Sequence, residues 1–219
     1  SLEIVIPFSI EELRPIRNGM TISRDSKLGN STKVTYFSMG KDTSISQESY
    51  DRMTMYIGAS GWGEFIIGEE PEIIKLQPDE LLIVPAGTLC GMQTSNGIVY
   101  TEIICTGKDI NMNANVKTNE VFALKNLISY EEGSIANMDV VSTPDMKYVL
   151  MAFDEGTGLT PHRAPGNAIV FALEGKATIG YEGKDYELSE GECFRFEKNG
   201  LHSVTANGKF KMALLLVLE

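Results

Sequence analysis

Two stretches of this chain repeat one another, and the repeat limits what the chain can fold into. Residues 42–61 (DTSISQESYDRMTMYIGASG) align without a gap with residues 156–175 (GTGLTPHRAPGNAIVFALEG) at an offset of 114. Thr43 falls on Thr157, Ile45 on Leu159 and Gly61 on Gly175. Further along, residues 78–90 (PDELLIVPAGTLC) align with residues 190–202 (EGECFRFEKNGLH) at an offset of 112. A hairpin turn between the blocks absorbs the two-residue slip. Letter identity is low; the order of strand, turn and spacing carries the match, which is read as a duplication.

Each copy consists of short β runs cut by Gly, Asp and Pro, such as 54–57, 63–67, 81–84 and 98–104, then 148–153, 168–173, 192–196 and 210–218. Many short strands with frequent turn signals predict a sandwich or barrel. Helical signal is scarce. Ser9 and Glu12 stand at capping-box spacing before a short helix, and residues 125–130 are a second candidate. The polar, Asn-rich segment 108–119 reads as a linker. Two domains follow, residues 1–112 and 113–219, each near the size at which one core suffices.

Charge narrows the partners. Nineteen basic and thirty acidic residues give a formal charge of −11, which repels phosphate backbones and anionic lipid, so neither nucleic acid nor membrane is expected. No apolar run is long enough to span a bilayer and the first residues lack a signal-peptide pattern. Cys90, Cys105 and Cys193 are odd in number and widely spaced, unlike a disulfide framework or a CxxC zinc site, so a reducing cytoplasm is expected. No phosphate-binding loop, dinucleotide fingerprint or nucleophile elbow occurs.

The repeated motifs resemble the cupin family. Residues 175–183 (GKATIGYEG), 188–192 (LSEGE) and 200–202 (GLH) carry the likeness, as does Pro85–Cys90 (PAGTLC), which is similar to the second cupin motif Pro-x-Gly-x-x-His with Cys90 in place of the histidine. Residues 162–175 resemble the first motif, His-x-His, a spacer, Glu, six residues and Gly. The resemblance covers about residues 33–105 and 147–218. It implies an all-β chain of two cupin-type double-stranded β-helix (jelly-roll) barrels in tandem, with few short helices. It also implies a Fe, Mn, Ni or Zn ion on three His and one Glu. His162 and His202 hold two of these positions, whereas the other two are Ala164 and Ala168. Two imidazoles fall short of the three protein ligands that a catalytic zinc site keeps. At most a weakly held divalent metal on His162 and His202 is therefore expected in the C-terminal barrel. In the first repeat Glu48, Tyr50, Thr54 and Cys90 stand at the four positions, and no metal is expected there.

Strand alternation predicts what lines each barrel. If His162 faces inward, so do Ala164, Ala168, Val170 and Ala172, and Ile169, Phe171 and Leu173 face outward, against the other barrel or a partner subunit. The same parity sends Glu48, Tyr50, Thr54, Tyr56 and Gly58 inward in the first copy, and the candidate ligand-pocket residues are Ala164, Ala168, Val170 and Ala172 with Glu48, Tyr50 and Cys90. The second cavity then has small apolar walls and two imidazoles, and is expected to be the roomier; the first is expected to be filled by Tyr50 and Tyr56. Arg163 is expected on the surface, and the face of Arg195 is open. Three functional readings follow: a module binding a small organic molecule near His162 and His202; an enzyme, of isomerase or oxygenase type, using that pair with a weak metal or as acid and base; or a storage or interaction protein. A homodimer would bury leftover apolar stripes.

Overall fold

The computed structural model describes residues 6–105 and 109–218. In chain order the elements are helix α1 (Ile10–Leu13), then β1 (Thr21–Asp25), β2 (Lys33–Met39), β3 (Thr43–Glu48), β4 (Thr54–Gly61), β5 (Gly63–Ile67), β6 (Glu72–Leu76), β7 (Glu80–Val84), β8 (Cys90–Thr94) and β9 (Ile98–Ile104). After these come β10 (Asn111–Met112), β11 (Val121–Ala123), a single 3-10 turn (Leu124–Asn126), β12 (Ile135–Thr143), β13 (Met146–Phe153), β14 (Gly158–Arg163), β15 (Asn167–Tyr181), β16 (Lys184–Ser189), β17 (Cys193–Phe196) and β18 (Leu201–Val217). The fold is all-β, and the second expected helix is reduced to that one turn. Among the described residues no helix is long and apolar enough to cross a membrane.

The chain forms two compact units: Ile10–Lys108 with Ala114–Ala123, and Leu124–Glu219 with Ser1–Ser9 and Asp109–Asn113. They are not divided at a single point. Strand β11 closes the edge of the first unit by pairing with β7, while β10 pairs with β12 and Phe8 bridges Cys193 in the second. The segment read as a linker is therefore partly strand, because its backbone finds ladder partners despite its polar side chains.

The first unit has a six-stranded sheet, β1-β2-β9-β4-β7-β11, and a four-stranded sheet, β3-β8-β5-β6. In the second unit the corresponding strands run on without a break. The fifteen-residue β15 spans what β4 and β5 cover in the first unit, and the seventeen-residue β18 spans what β8 and β9 cover.

The repeat seen in the letters is repeated in the backbone. Register shifts fall between Ile45 and Glu48 and between Gly58 and Ser60 in the first unit, and between Leu159 and His162 and between Ala172 and Glu174 in the second. Each lies at the offset of 114. Gly61 and Gly175 take the same left-handed conformation (φ +64° and +77°) where the long strand bends. A Cβ would lie 2.1 Å from the Gly97 carbonyl oxygen at the first, and 2.0 Å from that of Lys209 at the second. Only glycine suits a positive φ and so close an approach.

Side chains pointing inward form one core per unit. The first holds Met39, Tyr56, Phe65, Leu82, Met92 and Tyr100, and the second Phe153, Val170, Phe194, Phe196, Phe210 and Met212. Ile169, Phe171 and Leu173 lie outside the second unit's inner cluster, as alternation requires, and are buried.

Gly61→Ala and Gly175→Ala should each lose at least about 2 kcal/mol of unfolding free energy, because the left-handed backbone and the carbonyl clash act together. Urea denaturation of the two variants beside Gly87→Ala checks this. Gly87 also has a positive φ but has open space around its Cβ position, and should lose less.

Candidate functional site

The ends of the motif strands are placed by one device in both units. The Gly87 N–H donates to the Tyr50 carbonyl at 2.8 Å, and the equivalent Asn199 N–H donates to the Ala164 carbonyl at 2.8 Å. Both donors sit in the left-handed region. Beyond this clamp Glu48 stands opposite Cys90 in the β3–β8 register, and His162 stands opposite His202 in the β14–β18 register.

In the C-terminal unit the two histidine rings lie 4.1 Å apart. His162 Nδ1 is 2.8 Å from the Thr160 carbonyl oxygen, and His202 Nδ1 is 3.0 Å from that of Gly200. A carbonyl only accepts, so each Nδ1 carries the proton and each Nε2 keeps its lone pair. His202 is buried and stacks on Phe196 at 4.3 Å, whereas His162 is exposed. Burial lowers the pKa of His202, the Gly200 carbonyl partly opposes this, and His162 adds to the lowering. Protonation of His202 therefore opposes folding, and this contribution to stability is lost as pH falls below its ordinary value near 6.5.

No further metal-ligating side chain joins this pair among the described residues. Ala164 and Ala168 fill the remaining motif positions, and among the described residues no group of three or more His, Cys, Asp or Glu is placed to hold an ion. Two nitrogens alone do not form a closed ligand set. Arg163 is exposed and donates to the Asn199 carbonyl at 2.9 Å. Arg195 pairs with Ile169 on the outward face and forms an ion pair with Glu197 at 3.0 Å.

Beside His202 the second unit has a pocket of about 200 Å³, lined by Pro161, Tyr181, Lys184, Asp185, Leu201 and Ser203. Ala168, Val170 and Ala172 do face inward, but Phe153, Phe194, Phe196, Phe210 and Met212 occupy the room their small side chains leave.

The first barrel also holds a cavity. Its volume is about 140 Å³, and its lining includes Glu48, Tyr50, Tyr56, Cys90, Tyr100 and Glu102. The expectation that Tyr50 and Tyr56 fill this barrel is thus corrected: they wall the space. Leu82 and Val84 stand where Phe194 and Phe196 stand in the second unit, opposite Tyr56 and Thr54 on the neighbouring strand.

Glu102 was not singled out by the motifs. It pairs with Tyr56 across β4 and β9, where the second unit pairs Val170 with Leu214. Its side chain is 6% exposed. Burial raises its pKa to about 7, against hydrogen bonds from the Tyr56 and Tyr50 hydroxyls and attraction from Lys33, with Glu48 adding repulsion. The tyrosine hydroxyls remain protonated: burial pushes Tyr50 up to about 12 and Tyr56 still higher. Burial also raises the Cys90 thiol to about 11, so it is a neutral wall group rather than a thiolate ligand or nucleophile. A carboxylate in the otherwise apolar run 98–104 is the signal that was open to sequence reading.

Residues 149–218 match the family model described as Cupin domain. A "Cupin 2 conserved barrel domain protein" from Leptotrichia buccalis is 25% identical over 99% of this chain and 98% of its own, with a TM-score of 0.86. The fold is a cupin fold. Two further cupin-like structures share it at low identity. A salicylate 1,2-dioxygenase from Pseudaminobacter salicylatoxidans is 10% identical over 85% of this chain and 71% of its own, with a TM-score of 0.63. Oxalate decarboxylase from Bacillus subtilis is 11% identical over 99% and 77%, with a TM-score of 0.57. No curated protein matches the chain.

The buried carboxyl of the first cupin barrel makes stability pH-dependent. Its pKa is raised on folding, so the folded state binds the proton more tightly. The stabilisation is full below about pH 4.5 and is lost as pH rises through about 7. Between pH 5 and pH 8 this amounts to about 2 kcal/mol. Urea denaturation at the two pH values should show that loss in the parent, and Glu102→Gln should remove it.

Proposed function

We propose that this chain is a bicupin that binds a small organic molecule in its N-terminal barrel through hydrogen bonds and aromatic packing. The observation that carries this reading is the polar set Tyr50, Tyr56 and Glu102 around a cavity of about 140 Å³, at positions where the second barrel carries Ala164, Val170 and Leu214. A mostly apolar pocket with a few convergent polar groups is the usual form of a ligand site. Engineered cavities of about 150 Å³ admit benzene, which sets the size of the occupant. The salicylate dioxygenase and oxalate decarboxylase neighbours share the fold at 10% and 11% identity and lend this chain no substrate.

A second reading is acid–base catalysis in the same cavity. It is favoured by Glu102, whose pKa of about 7 suits a group that exchanges protons at neutral pH. Under that reading Glu102→Gln abolishes turnover of a bound ligand; under the binding reading it changes affinity alone.

The test is a thermal-shift screen of small polar organic molecules on the full chain, repeated on two variants. Cys90→Phe fills the cavity from its wall, and a His162→Ala/His202→Ala double variant removes the imidazole pair. Molecules that raise the melting temperature of the parent should lose their effect in the first and keep it in the second. Chelator treatment should leave the shifts unchanged. Shifts that survive Cys90→Phe and vanish with the histidines would return the pocket to the C-terminal barrel.

A further inference from the structure

Resting on that reading of the N-terminal cavity, we propose that its ligand is a small organic ammonium ion, held between the Glu48 and Glu102 carboxylates against the aromatic faces of Tyr56, Phe65 and Tyr100.

The first argument is charge. The cavity lining carries two carboxyl groups and no Lys, Arg or His. An anionic ligand would meet Glu48 at the exposed mouth and Glu102 within. A cation is attracted by both, and desolvation inside the barrel strengthens that attraction over its value in water.

The second argument is the aromatic wall. Tyr56 and Phe65 lie with ring centroids 4.6 Å apart, Tyr56 and Tyr100 6.0 Å apart, and Tyr100 stacks on Phe37 at 5.2 Å. All four rings line the one cavity. The negative face of an aromatic ring attracts an organic cation and packs equally well on its hydrocarbon part.

The third argument is hydrogen-bond accounting. A primary ammonium brings three donors and no acceptor. The acceptors it needs are the oxygens of Glu102, Glu48 and Tyr50. Uncharged Glu102 is the resting form near pH 6, and a cation beside it favours the carboxylate, so binding releases a proton there. Among the described residues the titratable or charged groups facing Glu102 are Glu48 on β3, Tyr50 before β4, Tyr56 on β4, Cys90 on β8, Tyr100 on β9 and Lys33 on β2. The three tyrosines and the thiol stay neutral through this range, which leaves Glu102 to set the pH response. Affinity for the cation therefore rises from pH 6 to pH 8.

The probes are cyclopentylammonium and cyclopentanol, a pair of one shape that differs in charge, with cyclobutanecarboxylate as the anion. Binding to the full chain is measured by titration calorimetry at pH 6 and pH 8. Methyl signals of Met92 and Ile45 report whether the probe enters the cavity. The ammonium should bind about tenfold tighter than the alcohol at pH 8, and less strongly at pH 6. Glu102→Gln should reduce the preference while the alcohol still binds, and Glu48→Gln should do so more weakly from the mouth. Equal or tighter binding of the alcohol or the carboxylate within the cavity overturns the ammonium proposal and leaves the cavity as a ligand site. An ammonium preference that survives both variants places the cation elsewhere and also overturns it. If no probe moves the Met92 and Ile45 signals, the ammonium proposal and the cavity reading fall together.

Discussion

Everything inside these barrels depends on strand register. Side chains alternate across a strand, so a slip of one residue would exchange the inner and outer sets. Each unit controls this with the same irregularities: a shift where the motif strand leaves its partner, a bulge before the bend, and a left-handed glycine at the bend itself. These features set Glu48 opposite Cys90 and His162 opposite His202. They also set Tyr56 beside Glu102 and Val170 beside Leu214. The two barrels share this frame and differ in what it presents.

That difference is a trade between packing and polarity. In the second barrel Phe194 and Phe196 belong to the core, and the strand pair Val170 and Leu214 is apolar. In the first barrel Leu82 and Val84 stand in their places, and Glu102 lines a cavity with Tyr50 and Tyr56. A buried carboxyl without partners costs several kcal/mol, and two tyrosine hydroxyls and a pKa near neutrality offset part of that cost here. Retaining such a group next to open volume weakens the fold above neutral pH, which is the usual mark of a site shaped for a ligand rather than for stability.

The sequence made the duplication, the all-β class and the meeting of His162 with His202 legible, because each rests on spacing along one chain. Gly61 and Gly175 align in the letters and share one left-handed backbone conformation. The location of the cavity was not legible. Alternation through residues 164–172 points Ala164, Ala168, Val170 and Ala172 inward and predicts room around them. The neighbouring strands β17 and β18 bring Phe194, Phe196 and Phe210 into the same core. The histidines also drew attention because they match a motif, whereas Glu102 matches none. Its signal is a carboxylate in an apolar strand, with Leu214 at the same place in the other repeat.

The account's central claim is that the first barrel, not the second, takes the ligand. A crystallographic screen with small polar fragments tests it most directly, since it reads position rather than affinity. The account predicts fragments bound between Tyr50, Tyr56 and Glu102, with the interior around Phe194 and Phe196 closed. Fragments gathered at His162 and His202, with only ordered water in the first barrel, would contradict it.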